Sequence, residues 1–273
     1  MSKGLCEIIN AAENYVFADP NNSREYISMG VFNLYCPEDN CDTDNNKVSS
    51  TFISLLKIFE DEHLEGNKLV EYAILWLSYI LNQKKQNGTT TLNDFYTNHV
   101  ITNSHYDKEI NADSDSGNKI NKDIIKKKIK SMDIDIKDIS NFYDAFKSLC
   151  NMYSEIGAED YECMPCLENA GELFEKYEKL KNALYINKGS SYLQLLSSLS
   201  NDYKNFENIY SAACINSSPL VACPRSSVTK NILITIAIIF VAASILLGVS
   251  YKYSLFGFRK RFQKQKLREK IKK

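Results

Sequence analysis

Apolar residues recur along this chain at intervals of three and four. Leu5, Ile8, Ile9, Ala12 and Val16 form one stripe, and Val48, Phe52, Leu55, Leu56 and Phe59 a second. Leu69, Val70, Ala73, Ile74, Leu77, Ile80 and Leu81 follow, with Trp76 beside them. Later come Ile139, Phe142, Tyr143, Phe146, Leu149 and Tyr153; then Leu167, Ala170, Leu173, Phe174, Tyr177 and Leu180; then Tyr192, Leu195, Leu196, Leu199, Tyr203 and Phe206. This spacing predicts amphipathic helices that each bury one face. No comparable alternating run signals a strand. The pattern therefore predicts an all-α body, a bundle of about six to eight helices with a sizeable core.

Polar breaks separate the stripes. "YCPEDNCDTDNN" reads as a loop whose Asp and Asn residues suit the capping of the next helix. "NQKKQNGTTTLNDF" reads as a loop leading into a short helix near Leu92. The stretch 104–123, "SHYDKEINADSDSGNKINKD", lacks apolar periodicity and is expected to be the least ordered part of the body.

One stretch differs in kind. From Ile232 to Val249 there is no charge, and most side chains are Ile, Leu, Val or Phe. As a helix it would span roughly 27 Å, close to the ~30 Å hydrocarbon core. Lys230 and Lys252 flank it, and Tyr251, Tyr253, Phe256 and Phe258 stand where an interfacial aromatic belt belongs. A single membrane helix over 230–251 is the expectation. It divides the chain into a helical body at 1–216, a stalk at 217–229 and a basic tail at 252–273. No apolar run near the amino end reads as a signal sequence.

Charge sharpens this division. The whole chain carries a net charge of −1, yet residues 252–273 hold ten Lys or Arg against the single acid Glu269. The tail is thus about +9 and the rest about −10. Basic residues beside a span, Lys252, Arg259, Lys260 and Arg261 among them, mark the side retained in the cytoplasm and suit the headgroups of a lipid bilayer. An acidic body does not suit nucleic acid as a partner.

All eight cysteines, Cys6, Cys36, Cys41, Cys150, Cys163, Cys166, Cys214 and Cys223, precede the apolar stretch. An even number on one side of a span fits an oxidised ectodomain. They are candidate disulfide partners, and their pairing is not readable from the sequence. The alternative is a cytosolic, tail-anchored structural protein with free thiols. Three Asn-x-Ser/Thr triplets, at Asn21, Asn87 and Asn216, are expected by chance in a chain so rich in Asn.

Motifs that carry chemistry are weak. "DTDNNK" at Asp42 and "DSDSG" at Asp113 both lack the later ligands of a calcium loop. "CMPC" at Cys163–Cys166 resembles a redox or zinc half-site, but no strand neighbours it and the only candidate second pair, Cys36 and Cys41, lies on a different loop with wider spacing. His63, His99 and His105 stand in no catalytic arrangement, and His63 reads as a solvated helix-end residue. No phosphate loop, dinucleotide fingerprint or nucleophile elbow is present. The reading is non-catalytic, with no cofactor or metal.

Several strings, in order, carry a resemblance. "YCPEDNCDTDNNK", "LWLSYILNQKK", "MDIDIKDISNFYDAFKSLCNMY", "SSYLQLLSSLSNDYKNF" and "GVSYKYSLFGFRKRFQKQKLREKIKK" resemble the Plasmodium interspersed repeat (PIR) proteins of rodent malaria parasites. The resemblance implies a variant multigene family with helical, cysteine-containing ectodomains, one membrane helix near the carboxyl end and a short basic tail. It implies export to the infected red cell surface or to the parasitophorous vacuole membrane compartment. A role in immune evasion, with a host-cell receptor or antibody as partner, and no enzymatic activity are further implications. Many members carry an additional Cys after the "NCDTD" position, where "NNKVSSTFISLL" has none, and a Ser/Thr-rich stretch before the membrane, where this chain has Cys214 and Cys223 close by. The segments Asp42–Lys47, Lys84–Thr91 and Asn103–Lys122 are expected to be loops that tolerate variation and make contacts.

Overall fold

A computed structural model describes residues 1–18, 30–84, 91–110, 119–132, 134–156, 166–183, 189–214, 220 and 222–223. Every regular element among them is helical. In chain order these are α1 (Lys3–Phe17), two short 3₁₀ turns (Gly30–Asn33 and Pro37–Asp39), α2 (Asp44–Phe59) and α3 (Gly66–Gln83). Next come α4 (Leu92–Phe95), which runs on into a π-helical turn (Tyr96–Val100), then α5 (Ser104–Glu109) and α6 (Lys122–Ser131). The set ends with α7 (Ile136–Glu155), α8 (Glu168–Ala183) and α9 (Gly189–Ala213).

The helices begin where the sequence supplies a cap. Ser2, Thr43, Thr91 and Asn121 each accept a hydrogen bond from a backbone N–H of the first turn of α1, α2, α4 and α6. At α4, Thr91 and Asp94 close a reciprocal capping box.

Helix α3 is buried on nearly every side, from Leu69 through Ser78, which marks it as the centre of the bundle. It lies antiparallel to α7: Tyr72 stacks on Phe146 at 4.9 Å, Tyr79 on Tyr143 at 4.6 Å, and Asn82 donates to Ser140 at 3.1 Å. Helix α7 in turn packs against α1, α8 and α9. Phe142 meets Tyr192 of α9, and Tyr153 meets Phe206 further along. Gly66, which opens α3, lies against backbone. A Cβ there would fall onto the carbonyl of Lys119, so only glycine fits.

The six apolar stripes are buried as helical faces, apart from Ile8, Leu81 and Phe174 at their edges, which are half-buried. Two helices, α5 and α6, were not expected. Their apolar content is small: Ile125 and Ile129, one turn apart, are the buried face of α6. The stretch 104–123 is correspondingly more ordered than expected where it is described. Ser104–Glu109 is helical, and Tyr106, Ile110, Ile120 and Asn121 are buried.

Candidate functional site

The helices leave two ends to the bundle. At one, Ser2 donates to Glu62 at 3.2 Å, Lys119 reaches the carbonyl of Glu62 at 2.6 Å, and α7 finishes beside the start of α8. At the other, the end of α1 meets the end of α3 and the start of α2. The Lys84 ammonium lies 5.8 Å from the centre of the Phe17 ring and pairs with Asp44. There too α8 finishes beside the start of α9, with Tyr192 donating to the Leu180 carbonyl at 2.8 Å.

Disulfides fasten this frame. Cys6 of α1 is bonded to Cys150 of α7, with Cα atoms 5.3 Å apart. Cys36 is bonded to Cys41, closing a small ring ahead of α2, at 5.2 Å. Cys166 is bonded to Cys223 at 4.8 Å. Each separation is ordinary for a bridge. Cys214 is also disulfide-bonded, and Cys163 lies outside the described residues. The "CMPC" motif is thus not a pair of its own, because the sulfur of Cys166 is committed to Cys223.

Within the segment 217–229 three residues are described, and they sit on the body. Leu220 is buried, Ala222 forms a parallel bridge with Leu167, and the Cys223 N–H donates to the Leu167 carbonyl at 3.0 Å. Beside this tie, Glu155 at the end of α7 caps α8. Its carboxylate accepts from the N–H of Glu168 at 2.6 Å and of Asn169 at 2.9 Å. No local signal in the sequence announces a cap from thirteen residues away.

Two buried polar clusters were also invisible to the sequence. In the first, the Lys68 ammonium lies 3.0 Å from Glu71 and 2.8 Å from Asp202, and Lys128 lies 2.5 Å from the other Glu71 oxygen. Tyr72 donates to Asp202 at 2.7 Å, and Ser198 bridges Lys68 and Glu71. The cluster binds α3, α6 and α9. Burial resists ionisation of both acids. For Glu71 the two lysines outweigh it and hold the carboxyl below its usual range. For Asp202 burial prevails over its single lysine and the carboxyl is raised. In the second cluster Tyr143 and Lys147 of α7 donate to Glu13 of α1 at 3.0 and 2.6 Å. Every group in both clusters has a partner, so they read as internal ties.

The open surface offers a groove of about 250 Å³ between α7, α8 and α9, lined by Asp138, Asn141, Asp144, Lys176, Lys179 and neighbours. Asp144 is raised by burial against the pull of Lys176 and Lys147. Lys176 is already tied to the Asp144 carbonyl, Ser148 and Glu172. The groove holds no nucleophile–base pair. His63 is exposed in the turn after α2, and His99 meets Asn45 at 3.3 Å with its ring 4.9 Å from Phe95. Burial lowers the His99 pKa.

The expected contact loops fare unevenly. Asp42–Lys47 is mostly helix: α2 starts at Asp44, capped by Thr43, and Lys47 is buried with its ammonium 4.8 Å from the centre of the Tyr15 ring. Burial, then Lys84, lowers the Lys47 pKa. In Lys84–Thr91 only the two ends are described, and in Asn103–Lys122 residues 111–118 lie outside the described residues. So do the three Asn-x-Ser/Thr triplets, the apolar stretch 232–249 and the basic residues Lys252, Arg259, Lys260 and Arg261. Among the described residues no helix is long and apolar enough to cross a membrane.

Comparison with known proteins completes the picture. The profile of the family described as Plasmodium variant antigen protein Cir/Yir/Bir matches residues 6–252. A solved structure of a Plasmodium PIR protein ectodomain is similar at 34% sequence identity and a TM-score of 0.62, covering 81% of this chain and 97% of that one. No curated protein matches.

Proposed function

The chain belongs to the Cir/Yir/Bir family of Plasmodium variant antigens, and from that premise we propose that it is a non-catalytic, single-pass membrane antigen exported to the infected red cell. Its helical body faces an oxidising space and its basic tail faces cytosol. The observation that carries this reading is the disulfide frame. Among the described residues no cysteine is free, and such bridges persist in oxidising compartments and are rare in reducing ones. A cytosolic, tail-anchored body would hold thiols instead.

The mechanism is display. Helices α3 and α7 form a core closed by bridges and buried ion pairs, while the exposed positions of the connections between helices are free to change without disturbing it. Sequence change there alters what an antibody meets and leaves the fold intact, which is the physical basis of immune evasion by variation. A host-cell receptor would dock on the same connections. The bilayer is the second partner, held by the apolar stretch 232–249 and by the cations that follow it.

Labelling of unpermeabilised infected cells with separate antibodies to body and tail tests the arrangement. Body-only labelling is expected, together with faster migration of the native protein on non-reducing than on reducing electrophoresis. Thiols that react with an alkylating reagent before reduction would favour the tail-anchored alternative and overturn the proposal.

A further inference from the structure

We infer that the Cys166–Cys223 bridge makes the body stand end-on, with the start of α8 toward the bilayer, so that the opposite end is the surface offered to an antibody-sized protein partner. This inference rests on the membrane reading above. It begins from where the chain leaves the body. Cys223 is held by its disulfide, by its hydrogen bond to Leu167 and by the bridge at Ala222. All three contacts lie at the amino-terminal end of α8. Only seven peptide units then carry the chain from Cys223 to Lys230 at the edge of the apolar stretch. Fully extended, they reach roughly 25 Å. Cys223, and with it the start of α8 at the end of the bundle that also holds Glu155, Glu62 and Ser2, is therefore kept within that distance of the apolar stretch.

The helices set the other dimension. Helix α8 has 16 residues and α7 has 20, so their far ends lie about 24 to 30 Å further away. The far end gathers Phe17, Asp44, Lys84, Asp138, Asn141 and Lys179. Phe17 is a large apolar side chain left 46% exposed. Asp44, Asn141 and Lys179 are exposed, and Lys84 and Asp138 are half-exposed. An exposed aromatic ring among side chains of both signs fits a protein surface. It does not fit a polyanion, which would call for a field of one sign. An antibody fragment, built of several domains of about 100 residues, is roughly 40 Å or more across on compact-chain scaling. It is too wide for the gap beneath the body, whereas the far end lies outside that gap.

The test uses the full chain assembled into lipid nanodiscs, which leave both faces of the bilayer open. A short epitope tag is inserted either between Asp61 and Glu65, in the turn at the membrane-proximal end, or between Ala183 and Gly189 at the far end. Binding of the matching antibody fragment is then measured. The proximal tag is expected to bind at least tenfold more weakly than the far one. Proteolytic release of the body, at a site substituted residue for residue within 225–229, should make the two equal. Inserting a dozen Gly/Ser residues after Pro224, which leaves the disulfide untouched, should relieve the block, as should the double variant Cys166→Ser with Cys223→Ser. Equal binding of both tags in intact discs overturns the inference. A chain that elutes without lipid overturns the membrane reading itself, a result seen before any antibody fragment is added.

Discussion

Removing the Glu71 carboxylate, only 7% exposed, takes from Lys128 its acidic partner and leaves Lys68 with Asp202 alone, in a largely buried site. Breaking a buried ion pair from one side costs about 3–5 kcal/mol. Glu71→Ala should therefore lower stability by that amount in denaturant titration, while Glu7→Ala, on an exposed part of α1, should change it little. Gly66→Ala should cost about 1–3 kcal/mol, because the added methyl must displace the Lys119 backbone. His99 supplies a pH dependence. Neutral, its Nε2 accepts from the Asn45 amide; protonated, it has no lone pair to offer. Its folded pKa is depressed by burial, so its contribution is whole above the usual histidine value of about 6.5 and is lost as pH falls from there toward the folded value. The thermal midpoint should fall between pH 7.5 and 5.5, and His99→Gln, which keeps an acceptor, should flatten that slope.

At the level of helices and bridges, stability is unevenly shared. On the loop-closure account, bridges spanning 144, 57 and 5 residues constrain the unfolded chain by about 5, 4 and 2 kcal/mol. Serine pairs replacing Cys6 and Cys150 should thus lower the thermal midpoint most, and those replacing Cys36 and Cys41 least. Glu155→Ala should loosen the first turn of α8 by about 1–2 kcal/mol, seen as faster amide exchange at Glu168 and Asn169. These helices differ in how far their sequences announced them. Helices α2, α3 and α7 carry continuous stripes whose burial outweighs everything else about them, so spacing alone located them. Helix α6 was missed because five of its ten residues are lysines and only Ile125 and Ile129 are fully buried. Its order comes from Asn121 at its start and from Lys128 reaching Glu71, both matters of tertiary placement. Asp42–Lys47 misled for the opposite reason: its polar letters look solvated, yet Lys47 lies along the Tyr15 ring. Pairing of the cysteines depends on which helix ends meet, and no spacing encodes that.

For the molecule as a whole, composition spoke clearly about class and not about arrangement. An acidic helical body, an apolar stretch and a cationic tail are visible in the letters; from which end of the bundle the described chain leaves toward that stretch depends on Cys223 returning to Cys166. The groove between α7, α8 and α9 belongs to the half remote from that return. Charge reversal at Lys179 should leave the unfolding free energy unchanged within about 0.5 kcal/mol, while weakening the binding of antibodies raised against the intact body. Unchanged antibody binding would show that recognition lies elsewhere.

The five-residue span of the Cys36–Cys41 ring bears on the order of oxidation. A fully reduced chain brings two thiols five positions apart into collision far more often than two separated by 144. Once that small ring shuts, Cys6 loses its two nearest wrong suitors and can wait for Cys150. Alkylation quenching of a refolding time course should catch a species with the short ring alone, and replacing Cys36 and Cys41 with serine should not hasten correct capture of Cys6.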